Sequence, residues 1–120
     1  MLMFTRLAIY YTPAPGTPLA EFGATWLGWD SATGQARAHP DTGPLDIAAI
    51  TSTPRKYGFH GTIKPPFRLA DGHSAEDVQT ALAAFCQSAE PVTLKGLKLA
   101  RLGRFLALVP DGNASDLGAL

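Results

Sequence analysis

The segment Tyr57–Lys64 constrains this chain more than any other stretch. Its odd positions, Tyr57, Phe59, Gly61 and Ile63, are mainly apolar, and its even positions, His60, Thr62 and Lys64, are all polar. Side chains on a strand alternate between faces, so this pattern predicts a strand with one apolar and one polar face. Pro65-Pro66 is expected to end regular pairing there, because proline has no N–H to give to a ladder. His60 and Thr62 then project the same way, roughly 6.5–7 Å apart along the strand. An imidazole that titrates near neutrality can move a proton. A hydroxyl two residues on can hold a phosphate oxygen, and Lys64 adds positive charge. This set suits phosphodiester chemistry without a metal, although a His-x-Thr triplet alone is common by chance and a histidine with no role is the ordinary alternative.

The rest of the chain reads as alternating strands and helices. Leu7–Tyr11 is rich in strand formers and ends at Thr12-Pro13. A loop with Pro13, Pro15, Gly16 and Pro18 follows. Residues 19–29 predict a helix with Leu19, Phe22, Trp26 and Trp29 on one face. A polar loop over 31–44 leads to a short helix over 45–50. Residues 74–89 give the clearest helix. Ser74 is the N-cap, Glu76 and Asp77 lie in the first turn, and Val78, Ala81, Leu82, Phe85, Cys86 and Ala89 form an apolar stripe. Strands over 92–102 and 105–109 predict a hairpin turning near Gly103. Asn113 or Ser115 caps a last helix, which at Leu120 has run for about one turn, and the expectation is a single domain over residues 1–120, truncated at its C-terminus.

Charge sharpens this picture. Ten basic and ten acidic residues cancel, so a nucleic-acid partner is not favoured on global charge. Locally, Arg55, Lys56, Lys64 and Arg68 form one acid-free stretch, and Lys95, Lys98, Arg101 and Arg104 form another. If both lie in one sheet they make a local anion site; the plainer alternative is two solvated strand faces. The one cysteine, Cys86, excludes an internal disulfide and a cysteine zinc cage, and its place in the apolar stripe predicts a core residue. No histidine–carboxylate spacing fits a metal, and no cofactor is expected. Gly16–Gly23 lacks phosphate-loop spacing and a lysine. Trp26 and Trp29 read as core rather than a stacking platform, and His39 and His73 as surface residues. The N-terminus has no signal-peptide pattern and no apolar run approaches bilayer length, so a cytoplasmic location without membrane association is expected.

The segment Arg55-Lys56-Tyr57-Gly58-Phe59-His60-Gly61-Thr62-Ile63-Lys64-Pro65-Pro66-Phe67-Arg68 resembles the first signature of the two-histidine (2H) phosphoesterase superfamily, in its phosphonate-metabolism branch. The resemblance extends to Ala8-Ile9-Tyr10-Tyr11 and to residues 22–28, with Gly61 where a residue such as alanine is usual. It implies an α+β, LigT-like fold of two lobes, of which this chain holds the first: an antiparallel sheet with helices packed on one face. It also implies a metal-independent phosphodiesterase or cyclic phosphodiesterase acting on a phosphorylated nucleotide or ribose derivative. One histidine would activate the attacking group and the other would protonate the leaving oxygen. His60 and Thr62 match the catalytic pair, with Lys64, Tyr57, Arg55 and Arg101 as candidate phosphate ligands. No second His-x-Thr/Ser motif occurs in these residues: Pro40-Asp41 follows His39, and Ser74-Ala75 follows His73. The rival expectation is therefore a non-catalytic anion- or nucleotide-binding module that keeps one histidine strand.

Overall fold

The computed structural model describes residues 6–120. They form a mixed α+β structure that divides into two compact units, Met1–Ala75 and Glu76–Leu120. The first holds β1 (Leu7–Tyr11), α1 (Pro18–Leu27), β2 (Trp29–Asp30), β3 (Gln35–Ala36), α2 (Ile47–Ile50), α3 (Ser52–Arg55) and β4 (Gly61–Phe67). The second holds nearly all of α4 (Ala75–Ser88), then β5 (Leu97–Leu102), β6 (Phe105–Pro110) and α5 (Ser115–Gly118).

In the first unit β1 pairs antiparallel with β4. Leu7 stands opposite Phe67, Ile9 opposite Lys64, Tyr10 opposite Thr62 and Tyr11 opposite Gly61, with irregularities on both sides of Ile9. One extra residue of β4 is absorbed at each. The first lies at Pro65-Pro66, so the prolines are bulged past rather than ending the strand, as a residue without a donor permits. The second lies between Thr62 and Lys64. Among the described residues, β4 begins at Gly61 rather than Tyr57 and pairs only with β1. Ile63, on the face predicted to be apolar, is 45% exposed.

Helix α1 starts and stops on recognisable signals. Thr17 caps it through the Ala20 N–H, Pro18 occupies the first turn, and Gly28 closes it at φ +74 with its N–H on the Ala24 and Thr25 carbonyls. That left-handed residue ends the helix before Trp29, which begins β2 instead of extending the predicted apolar face. The buried face is Gly23, Ala24 and Leu27, whereas Phe22 is 50% exposed. Small residues on that face let Phe59 approach closely: a Cβ on Gly23 would stand 2.3 Å from the Phe59 ring. The segment expected to be loop supplies β3, which pairs with β2, and the turn between them is held by the Asp30 carboxylate accepting from the Ala32 and Thr33 N–H groups. His39, expected at the surface, is half-buried with Nδ1 3.0 Å from the Trp26 carbonyl, near the C-terminal end of α1.

In the second unit β5 and β6 form the expected hairpin, in register from Leu97 opposite Pro110 to Leu102 opposite Phe105. Gly103 at φ +61 takes the first position of the two-residue turn, as a II′-type turn requires. Within the second unit the hairpin is a two-stranded sheet. Helix α4 forms where the periodicity placed it but buries no residue, and Cys86 is exposed rather than core. An apolar stripe becomes core only when a second layer covers it, and α4 packs extensively on no other described element of its unit. The Asn113 side chain accepts from the Ser115 N–H just ahead of α5, whose N-cap position is Ala114 rather than the expected Asn113 or Ser115.

No described helix is long and apolar enough to cross a membrane.

Gly23→Ala is expected to lower the melting temperature. The added methyl group meets an aromatic ring, and overpacking of this kind costs about 1–3 kcal/mol, against roughly 1 kcal/mol of helix propensity gained. Thermal denaturation followed by circular dichroism measures the balance, and an unchanged or raised midpoint would refute the close Phe59 contact.

Candidate functional site

His60 lies one residue before β4, at the end of a backbone turn that starts after α3. Gly58 makes that turn possible. Its φ of +76 is a conformation that residues with a Cβ rarely adopt, and a Cβ there would stand 2.8 Å from Ser31 Cβ. The turn brings the Gly58 carbonyl oxygen to 2.9 Å from His60 Nδ1. A carbonyl can only accept, so Nδ1 carries the hydrogen and, in the neutral ring, Nε2 keeps the free lone pair. The imidazole face stacks on Tyr10, with ring centroids 3.9 Å apart and planes 22° from parallel. One edge hydrogen bond and one stacked face fix both the tautomer and the plane of the ring.

Pairing places Thr62 beside this arrangement. It stands opposite Tyr10 in the β1–β4 register, and residues directly opposite share a face. Tyr10, Thr62 and His60 are thereby gathered on one side of the sheet. Lys64 follows a different course. The irregularity between Thr62 and Lys64 sets Lys64 opposite Ile9, the neighbour of Tyr10, and so in register with the other face. Strict alternation from His60 to Lys64 is broken there by one residue.

The remaining candidates are dispersed. Arg55 is half-buried and bound to its own fold: Nε donates to the Leu27 carbonyl at 2.7 Å, and one terminal nitrogen donates to the Ala48 carbonyl at 2.8 Å and to Thr51 Oγ1 at 3.1 Å. It ties the end of α1 to α2 and α3. It also borders a shallow depression with Trp29, Ser52 and Lys56. Tyr57 is 59% exposed and lines a separate cleft of about 330 Å³ together with Tyr10, Trp29 and Phe59. His60, Thr62 and Lys64 are not among the residues lining that cleft. Arg101 belongs to the second unit, where its Nε donates to the Gly103 carbonyl at 3.1 Å. Two contributors escaped the sequence reading. Tyr10 was visible only as a strand aromatic, and Gly58 carried the signal of a turn glycine without indicating which carbonyl it would present. Among the described residues, no group of three histidine, cysteine or carboxylate side chains stands close enough to hold a metal ion.

An ionic cluster borders the same cleft. Arg37 pairs with Glu21 and, at 3.3 Å, with Asp30. Hydrogen bonding to Glu21, reinforced by its charge, raises the Arg37 guanidinium above its ordinary range.

Comparison with known proteins adds sequence relatives. The family described as "Protein of unknown function (DUF1045)" matches residues 62–120. A protein named "Ribose 1,5-bisphosphate phosphokinase PhnN" from Janthinobacterium sp. (strain Marseille) is 34% identical over 119 residues, covering 97% of this chain and 26% of the relative. One of the same name from Laribacter hongkongensis (strain HLHK9) is 31% identical over 122 residues, covering 96% of this chain and 28% of the relative. The chain thus spans about a quarter of the length of these curated relatives. No solved structure matches it.

Two outcomes test the geometry. Long-range proton–nitrogen NMR of neutral His60 should show the hydrogen on Nδ1, and Gly58→Ala should weaken that preference; a wild-type ring with the hydrogen on Nε2 would refute the turn contact. Arg55→Ala should destabilise the first unit by about 1–3 kcal/mol, since each hydrogen bond lost is worth roughly 1 kcal/mol net. An unchanged urea midpoint would show that Arg55 is not tying these helices together.

Proposed function

We infer that this chain carries one half of the acid–base apparatus of a metal-independent phosphodiesterase or cyclic phosphodiesterase, whose substrate is a phosphorylated ribose or nucleotide derivative. The observation that carries this reading is the held imidazole: Nδ1 fixed by the Gly58 carbonyl, the ring stacked on Tyr10, and Thr62 on the same face. With Nδ1 bound, Nε2 is the atom that can accept a proton from an attacking hydroxyl or water, or return it to a leaving oxygen. The Thr62 hydroxyl would donate to a phosphate oxygen, and Lys64 would add attraction at longer range.

Ring opening of a cyclic phosphate needs one proton removed from the nucleophile and one delivered to the leaving oxygen. A single histidine performs one of these at a time, and each such role is worth about 10²–10⁴ in rate. The resemblance described above places the second histidine in another lobe of a bilobal fold. On this reading that lobe belongs to a longer polypeptide, which accords with relatives of roughly four times this length.

The name of those relatives supports a ribose phosphate as the substrate class rather than a reaction. It names a ribose bisphosphate, and the phosphonate-metabolism branch that the His60 segment resembles points the same way. It also names a kinase, but these residues contain no Gly-x4-Gly-Lys-Ser/Thr phosphate loop, so the phosphoryl-transfer step of that name is not assigned to this segment.

The test is turnover of cyclic nucleotide and ribose phosphates in the presence of chelator. The 120-residue chain should bind these compounds weakly and turn them over poorly. A polypeptide of the relatives' length that contains this segment should hydrolyse at least one of them. There, His60→Ala should lower kcat by about 10²–10⁴ with a smaller change in KM. Thr62→Ala should cost less and act partly on binding, because it removes one hydrogen bond to the phosphate. Full activity in His60→Ala, or loss of activity on chelation, would overturn the mechanism. Binding without turnover at any length would favour the anion-binding module instead.

A further inference from the structure

We propose that the cleft bordered by Tyr10, Trp29, Tyr57 and Phe59 binds the neutral ring part of the ligand, a ribosyl or nucleoside group, while the phosphate lies at His60 and Thr62. Its assignment to a substrate rests on the phosphoesterase reading; its chemistry as a binding site does not. Four aromatic side chains border a space of about 330 Å³, within the range of small-ligand sites. Flat apolar faces of this kind stack on nucleobases and on the C–H faces of sugars. Tyr57 is 59% exposed, an unusual place for an aromatic ring whose only task is packing.

The charges at this cleft suit a neutral group better than an anion. Glu21 and Asp30 both line it. Arg37 engages both, and the second Asp30 oxygen is occupied by the Ala32 and Thr33 N–H groups. Two carboxylates against one guanidinium leave the wall with net negative charge, which repels a phosphate. The Ser31 and Thr33 hydroxyls on the same lining can exchange hydrogen bonds with hydroxyl groups of a sugar or with a base edge. Tyr10 joins the two places: it lines the cleft and stacks on His60, so a ring bound there lies one aromatic side chain away from the imidazole. A compound with a ring and a phosphate can therefore span from the cleft to the His60 face.

The experiment uses the 120-residue chain and ligands without phosphate. Saturation-transfer NMR with adenosine and with methyl β-riboside should give signal for at least one compound. The signal should fall at least fivefold in Tyr57→Ala, whose fold is checked by its amide spectrum. Transfer from adenosine alone assigns the cleft to a base; transfer from both compounds, or from the riboside alone, assigns it to the sugar. No transfer from either compound, or undiminished transfer in a folded Tyr57→Ala, overturns the proposal. Failure of the phosphoesterase reading has a different signature, since His60→Ala would then leave turnover unchanged whatever the nucleoside does.

Discussion

Pairing of β1 with β4 is the constraint on which the site depends. His60 comes from the segment after α3, and its stacking partner comes from the first strand, so neither local sequence nor helix capping could bring them together. The antiparallel ladder does so by setting Tyr10 opposite Thr62. The ladder is also irregular, because β4 holds two prolines that cannot donate and absorbs two extra residues over its length. Each extra residue changes which side chains share a face. The site is thus defined by where the bulges fall as much as by the residue types.

A second constraint is closeness. The first unit buries few side chains, Ala24, Leu27, Ile47 and Thr51, with Gly23, Gly28 and Gly58 buried beside them. Small residues let backbone and rings approach where large ones would hold them apart. Gly23 admits the Phe59 ring, Gly28 admits the His39 ring, and Gly58 admits the Ser31 side chain. Arg55 completes the fastening by donating to carbonyls that helices α1 and α2 leave without intrahelical partners. Basic residues in this unit are therefore divided between holding the fold and, on the proposed reading, attracting a ligand.

Charge is divided in a similar way. The cleft lined by Tyr57 carries two acids balanced incompletely by Arg37, while the His60 face carries no acid nearby in sequence. On the proposed reading, separation of this kind favours a ligand that is itself divided into a neutral ring and an anionic group. Protein sites commonly gain orientation from such division, because a ligand entering the wrong way round meets like charge at one end and loses an ionic partner at the other.

What the sequence determined by itself was local. The strand Leu7–Tyr11, the helix Ala75–Ser88 and the hairpin with Gly103 at its turn follow from periodicity, capping and turn chemistry, which act over a few residues. Gly28 also held a readable stop signal, and heeding it would have released Trp29 from the first helix. His60 and Thr62 were legible as chemistry because imidazole and hydroxyl have properties that residue type alone discloses. Tertiary structure decided the rest. Only the β1–β4 register could show that Lys64 stands opposite Ile9 while Thr62 stands opposite Tyr10. Only the approach of Gly58 to His60 could choose between two ring nitrogens. Only the placement of α2 and α3 against the end of α1 could show Arg55 bonded to carbonyls. Each of these depends on residues distant along the chain, and an alternating pattern gives no sign of a one-residue bulge that shifts its phase.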